Sequence, residues 1–258
     1  MSSPLVVVAK GGAEHKRWQY VQYLYLASFV LLVPVVLQPF EIGKMNRALV
    51  LSVAILAVNL VVGFNGMLAL GHSAFMGVGA FVTASLVQDE NWDFWMALPV
   101  VVLVGFVLGI LVGLPALRVK GLYLALITVA QATVFPTLVN IDELGIAKRT
   151  GGPNGKGVSE EVIAPSYFEW LPGVDGARGG SAYRYWCIIL ILGITLLLVT
   201  NYIRSRPGRA VLAIRDNEAG AAVYGVNLPI VKTVNFAISA GLGSVSYTHL
   251  TLPTIYSV

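Results

Sequence analysis

RSRPGRAVLAIRDNEAGAAVYGVNLP, residues 204–229, is a polar interruption between two apolar runs, one at 185–203 and one from 230 onward. Four arginines (Arg204, Arg206, Arg209 and Arg215) fall within twelve positions, directly after a membrane-length segment. Lys and Arg in short loops resist translocation, so the cluster predicts a cytoplasmic loop and orients every span around it. Within the loop, Pro207 is suited to start a helical turn and Asn217 to cap a second one. Gly225 would supply the left-handed residue that stops it, and Pro229 would prevent its resumption. The expected product is a short helix over 218–224 that exposes Ala219, Ala221 and Ala222. Such a small-residue helix fits closely into a partner's groove. The plainer reading of the same arginines is a tether to anionic lipid. Both stand open at this point.

Composition decides the class. Of 258 residues, 57% are hydrophobic and 12% charged, about half the charged share of a soluble domain. Several apolar runs reach the roughly 20 residues that a bilayer crossing needs. The expectation is an all-α, polytopic transmembrane helical bundle: one membrane domain, with no appended soluble domain. The net charge of +4 does not point to nucleic acid, because the basic residues flank spans. Cys187 is the single cysteine and lies in an apolar run, which excludes a disulfide and a thiolate metal site. Residues 1–20 have no signal-peptide layout, since their apolar piece is short and precedes the charges. They read as a cytoplasmic tail.

Seven spans are expected, at about 21–37, 47–62, 70–87, 95–114, 121–140, 185–203 and from 230 onward. With the Arg204 loop inside, parity places the tail and the turn at 117–120 inside as well. Glu41, Asp89 and the long loop 141–182 then fall outside. The charges test this independently: inside segments hold ten basic and three acidic residues, a net +7, against −3 for the rest. The assignment obeys the positive-inside rule.

The second informative stretch is NLVVGFNGMLALGHSAFMGVGAFVTASL, residues 59–86. Gly63, Gly66, Gly71, Gly77 and Gly79 lie in or beside two expected spans. Glycine permits close helix approach and also a break in the helix. Irregular backbone at membrane depth is tolerated only when buried in protein or beside a watery cavity, and interrupted helices in transporters line the substrate site. His72 lacks a partner for metal coordination in the sequence. It reads first as a packing or hydrogen-bonding histidine at a helix start, and second, with Ser73 and Asn59, as lining a pathway.

The fourth span carries Gly105, Gly109 and Gly113 at a four-residue spacing, the mark of a packing seam. The fifth carries Thr128, Gln131, Thr133 and Asn140, which are expected to face the bundle interior. They either tie helices together or line a path, and the sequence does not choose. TGGPNGKGV, at 150–158, is not a phosphate loop, since Gly157 follows Lys156 where Ser or Thr is required. Its Gly152-Pro153-Asn154-Gly155 core reads as turns. Tyr167, Phe168, Trp170 and Pro172 suggest an interfacial segment with aromatic anchors.

Several of these stretches resemble one family. EAGAAVYGVNLP is similar to the EAA loop of ABC importer permeases through Glu218, Ala219, Ala221 or Ala222, Gly225 and Pro229, with a tighter spacing. The 59–86 run resembles the NLxxGxxGxLSLGHxAFxGxGAY signature of the branched-chain amino acid permeases (the LivM and LivH type, LivM most of all). It departs from that signature at Met67, Ala69 and Phe81. GLPALRVKGLYLAL and TGGPNG are similar to further runs of these permeases. From Ser244 the likeness stops, and VSYTHLTLPT resembles a translated sequencing adapter. Residues 244–258 are therefore expected to be non-native and the permease domain to span 21–243, with the family continuing into further spans.

The resemblance implies a permease subunit of an ABC importer in a bacterial inner membrane, multi-pass, with a cytoplasmic amino terminus. The substrates are branched-chain amino acids, or, in the nearest alternative, urea or short amides. Such a subunit binds no cofactor and catalyses nothing; ATP and Mg are used by a separate cytoplasmic ATPase. Arg215, Glu218, Ala219, Ala221, Ala222 and Gly225 would contact that ATPase. The further implied partners are a second permease subunit, as a homo- or heterodimer, and a periplasmic or lipid-anchored substrate-binding protein. The rival class, an ATP-independent secondary transporter or channel, would require intramembrane Asp, Glu or Arg. The expected span interiors contain none.

Overall fold

In hydrocarbon, every backbone N–H and C=O must find its partner within the protein, which apolar runs of this length achieve as helices. In the computed structural model, residues 28, 30–116, 122–139, 172, 174 and 179–246 are described, and every regular element among them is a helix. After helical residues 30–36, these are α1 (Pro39–Val61), α2 (His72–Gln88), α3 (Phe94–Ala116) and α4 (Leu122–Val139). They are followed by α5 (Gly179–Arg204), α6 (Arg206–Asp216), α7 (Glu218–Val223) and α8 (Leu228–Ser246).

Four stretches are long and apolar enough to cross a membrane: Pro39–Val61, Phe94–Leu114, Gly180–Arg204 and Leu228–Ser246. Tyr123–Leu138 is apolar but shorter. The expected spans at 47–62, 95–114, 185–203 and from 230 onward correspond to the first four. Two of these begin earlier than hydropathy indicates. α1 starts at Pro39 because its polar first turns are stabilised locally. Pro39 sits in the first turn, where its missing N–H costs nothing. Lys44 Nζ stands 3.2 Å from Glu41 Oε1 and 4.4 Å from the Phe40 ring centroid. α5 starts at Gly179, six residues before the apolar run. The first expected span is only partly described, and residues 1–27 and the Gly152–Gly155 turns lie outside the described residues.

The bundle is organised around α8, which packs on α1, α2 and α3 and touches α6 and α7. Its contact with α3 is closest. A Cβ built on Gly109 would stand 2.7 Å from both Ala237 Cα and Ala240 Cβ, and one on Gly105 2.8 Å from Ser244 Cβ. On Gly113 it would stand 3.4 Å from Phe236 Cδ1. The glycine stripe of α3 therefore faces the small-residue face of α8, and the two helices run antiparallel. Ser244 Oγ lies 3.0 Å from Val101 O across the same seam and 2.7 Å from Gly241 O of its own helix, two carbonyls that share its one proton. α8 continues through Ser244 and Val245 to Ser246, all three buried; 247–258 lie outside the described residues.

The two ends of the bundle separate cleanly. At one end, Trp95 Nε1 donates to Tyr183 Oη at 3.2 Å, and Asn46 Nδ2 donates to Ser181 O at 3.0 Å. Ala84, Val87, Ala97, Ala182, Tyr183 and Cys187 pack together there. All come from ends that the charge reading places outside. At the opposite end lie the α1–α2 connection, α6, α7 and the start of α8, all of which it places inside.

Candidate functional site

The site is built from two stretches about 150 positions apart in the sequence: the α6–α7 segment and the glycine-rich break between α1 and α2. A tight corner opens the first. Ser205 Oγ donates to Tyr202 O at 2.5 Å and accepts from Gly208 N at 3.4 Å, so Ser205 caps α6 and Pro207 occupies its first turn. Gly208, Val211 and Ile214 are buried, while Arg204, Arg206, Arg209 and Arg215 are exposed. α6 is thus amphipathic, with its arginine side outward.

α7 is defined at both ends by the residues the sequence singles out. Asn217 Oδ1 accepts from Gly220 N at 2.9 Å, an N-cap. At the far end, Gly225 N donates to Ala222 O and Val226 N to Ala221 O. These two bonds form a Schellman motif, and Gly225 has the positive φ it requires, 82°. One expectation needs correction. Ala221 is buried, not exposed, because one turn of helix puts it on the side facing α6 and α8; only Ala219 and Ala222 of the three alanines are exposed. Pro229 does not merely block α7: it lies in the first turn of α8, where proline is accommodated.

Val223 and Tyr224 were missed in the sequence. They are 86% and 90% exposed, apolar tips on a helix whose ends are locked. The signal that could have found them is their position directly before Gly225, where the chain turns away. Glu218 is half-buried beside them. Its Oε1 stands 2.8 Å from Lys232 Nζ on α8, tying α7 to the central helix.

The break occupies residues 62–71, non-helical between Val61 and His72. α2 therefore starts at His72 and not at Leu70. Gly66 has a φ of 69°, a conformation that side chains with a Cβ rarely adopt. The extended part beyond it lies against α4. Leu70 N donates to Thr128 Oγ1 at 3.0 Å, and a Cβ on Gly71 would stand 2.1 Å from Thr128 O. Thr128 in turn donates to Ala125 O at 3.0 Å. A buried hydroxyl thus satisfies a backbone donor that the helix break sets free.

His72 stands where the break meets the bundle centre. Its Nε2 lies 2.7 Å from Ser239 Oγ, and Ser239 Oγ lies 2.5 Å from Ala57 O. A carbonyl oxygen only accepts, so the one hydroxyl proton of Ser239 goes to Ala57, and His72 Nε2–H must donate to Ser239. Asn235 Nδ2 donates to Leu60 O at 2.8 Å, one turn nearer the start of α8. Ser239 lies about 16 Å along the α8 axis from Leu228, at 1.5 Å per residue, so these bonds sit deep in the bundle. The His72 ring is packed by Phe75 and Phe236, each with its ring centroid 6.0 Å away.

The other sequence-derived candidates divide. Thr128 is buried, and Gln131 lines a cleft of about 340 Å³ with Ala74, Phe75, Leu108 and Phe135. Asn59 and Ser73 are exposed on the surface of the bundle and do not join His72. Thr133 is also exposed, bonded to Ala130 O of its own helix, contrary to the expected interior position; Asn140 lies outside the described residues. Among the described residues there is no group of three or more metal-ligating side chains.

The described residues form a glycine-seamed bundle of apolar helices, with the non-helical 62–71 connection and the capped α6–α7 segment at one end, the build of a multi-pass membrane protein. The family model for the branched-chain amino acid transport system / permease component matches residues 42–254, and the chain belongs to that family. It is 30% identical over 249 residues to the high-affinity branched-chain amino acid transport system permease protein LivM of Salmonella typhimurium strain LT2. It is 29% identical to the protein of the same name from Escherichia coli strain K12. Each alignment covers 88% of this chain and 56% of the relative, so the chain spans about half the length of the curated relatives it matches. No solved structure matches it significantly.

Proposed function

We propose that this chain is the permease subunit of an ABC importer for branched-chain amino acids, driven by a separate cytoplasmic ATPase that binds ATP and Mg. The observation that carries the reading is the α6–α7 hairpin. It offers Ala219, Ala222, Val223 and Tyr224 outward from a helix fixed by Asn217, Gly225 and the Glu218–Lys232 pair. Exposed apolar anchors on a rigid helix suit insertion into a partner's groove. A pure lipid tether would need the arginines but not the capped, projecting tip. The substrate class is taken from the names of the two LivM relatives.

In this reading α6 and α7 face the cytoplasm of a bacterial inner membrane, as does the amino terminus. A second permease subunit completes the pathway, and a periplasmic or lipid-anchored binding protein delivers substrate at the opposite end. The test is uptake into proteoliposomes of the transporter assembled with its partner subunits. Leucine, isoleucine or valine should accumulate only with ATP, at least tenfold above urea or a short amide. Accumulation without ATP would replace the ABC reading with a secondary transporter, and a preference for urea would overturn the substrate class.

A further inference from the structure

The α6–α7 hairpin and the helix break are in direct contact. Arg215, the last arginine of α6, donates from Nη1 to Gly63 O at 3.2 Å. Its stem lies over the next glycine: a Cβ on Gly66 would stand 3.0 Å from Arg215 Cγ. Asp216 Oδ1 accepts from Arg215 Nε at 3.2 Å, which aims the guanidinium from the neighbouring position. The sequence places Arg215 among the groups that meet the ATPase; its guanidinium also reaches the break, with the side chain 44% exposed.

The other end of the break is held from the same side of the molecule. His72 bonds to Ser239 of α8 at 2.7 Å, and α8 is tied to α7 through Lys232 and Glu218 at 2.8 Å. The α6–α7 unit therefore grips the break twice, directly at Gly63 and Gly66 through Arg215, and at His72 through α8. Between the grips, residues 66–70 are non-helical and have no helical ladder of their own to resist movement. These two contacts join α6 and α7 to the break, beside the packing of both on α8 itself.

We infer that Arg215 is the positioning residue that transmits motion of the docked α6–α7 hairpin to the 62–71 break, and so couples ATP hydrolysis to the facing of the pathway. This rests on the proposed ABC reading and assigns the element that moves. An Arg fork suits the task, because one guanidinium bonds a carbonyl and a carboxylate at once in a fixed plane. Lysine would keep the charge but lose that geometry.

The experiment uses the transporter assembled with its ATPase and carrying Arg215→Gln, Arg215→Lys or Gly66→Ala. The last attacks the contact from the other side, since it forces a Cβ onto positive φ against the arginine stem. Gly43→Ala, whose Cβ would meet nothing within 4 Å, is the control. Co-purified ATPase, ATP hydrolysis and uptake are measured on the same preparations. Arg215→Gln and Gly66→Ala should hold the ATPase within twofold of the parent yet lower substrate taken up per ATP at least tenfold, with Arg215→Lys between. Unchanged uptake per ATP in both would overturn the inference and leave the docking reading intact. Loss of the ATPase itself on Arg215→Gln would also overturn it, making Arg215 a docking contact instead of a link.

Discussion

Lys232 reaches from the second turn of α8 to place its Nζ 2.8 Å from Glu218 Oε1 at the start of α7, with its own side chain only 16% exposed. The pair ties the start of α7 to the central helix, while the Glu218 side chain itself stays 39% exposed. Glu218→Gln should therefore leave a mostly buried lysine without its counter-charge, and lower stability by about 1 kcal/mol, in the range of partly exposed pairs. The Glu218→Lys/Lys232→Glu exchange should recover most of the loss. Thermal unfolding in detergent checks this, and equal stability of parent, single and double variants would show that the pair contributes nothing.

The α3–α8 seam predicts a steep dependence on side-chain size. Gly109→Leu must displace Ala237 and Ala240, whose atoms lie 2.7 Å from the first added carbon. Overpacking of a close seam costs about 1–3 kcal/mol, often more for so large a step. Gly113→Ala, with 3.4 Å available, should cost much less. Unfolding in a denaturing detergent series ranks the two; identical midpoints would mean that the helices do not approach as described.

Ser239 mediates between His72 and Ala57, so Ser239→Ala removes one acceptor and one donor at once. Buried groups left unpaired cost about 1–3 kcal/mol. The loss should be much smaller when His72 is already phenylalanine, which a double-mutant cycle measures. Additive effects of the two substitutions would contradict the bond.

Sidedness follows from which residues share an end. With Cys187 replaced, a cysteine at Asn91, in the exposed turn between α2 and α3, should react with an impermeant reagent from outside intact cells. One at Ala222 should react only after the membrane is opened. The reverse pattern would invert the whole arrangement.

Much of this molecule is legible in its sequence, and the exceptions have physical causes. The Gly105–Gly109–Gly113 spacing, the Asn217 cap and the Gly225 turn are local, because each depends on backbone geometry within a few residues. The start of α1 is hidden, since Glu41, Lys44 and Arg47 depress hydropathy while favouring the helix locally. Ala221 is buried where exposure is expected, because a six-residue helix offers no periodicity to fix its phase. The Arg215–Gly63 contact joins positions 152 apart, and no local pattern encodes such a pairing. Tyr224 escapes notice because aromatic residues are expected inside, so only its exposure in the fold distinguishes it.

The central claim is that α7 is the docking element for an ATPase, and its most direct test is co-purification. Tyr224→Ala and Ala222→Asp should each preserve the fold, since both residues are exposed. An aromatic anchor at an interface centre is worth about 2 kcal/mol or more, so Tyr224→Ala should weaken ATPase binding by at least about thirtyfold. Ala222→Asp should do the same by placing a charge in a close apolar contact. Retention of stoichiometric ATPase and normal uptake in both variants would contradict the claim and leave the hairpin as a basic tether at the membrane surface.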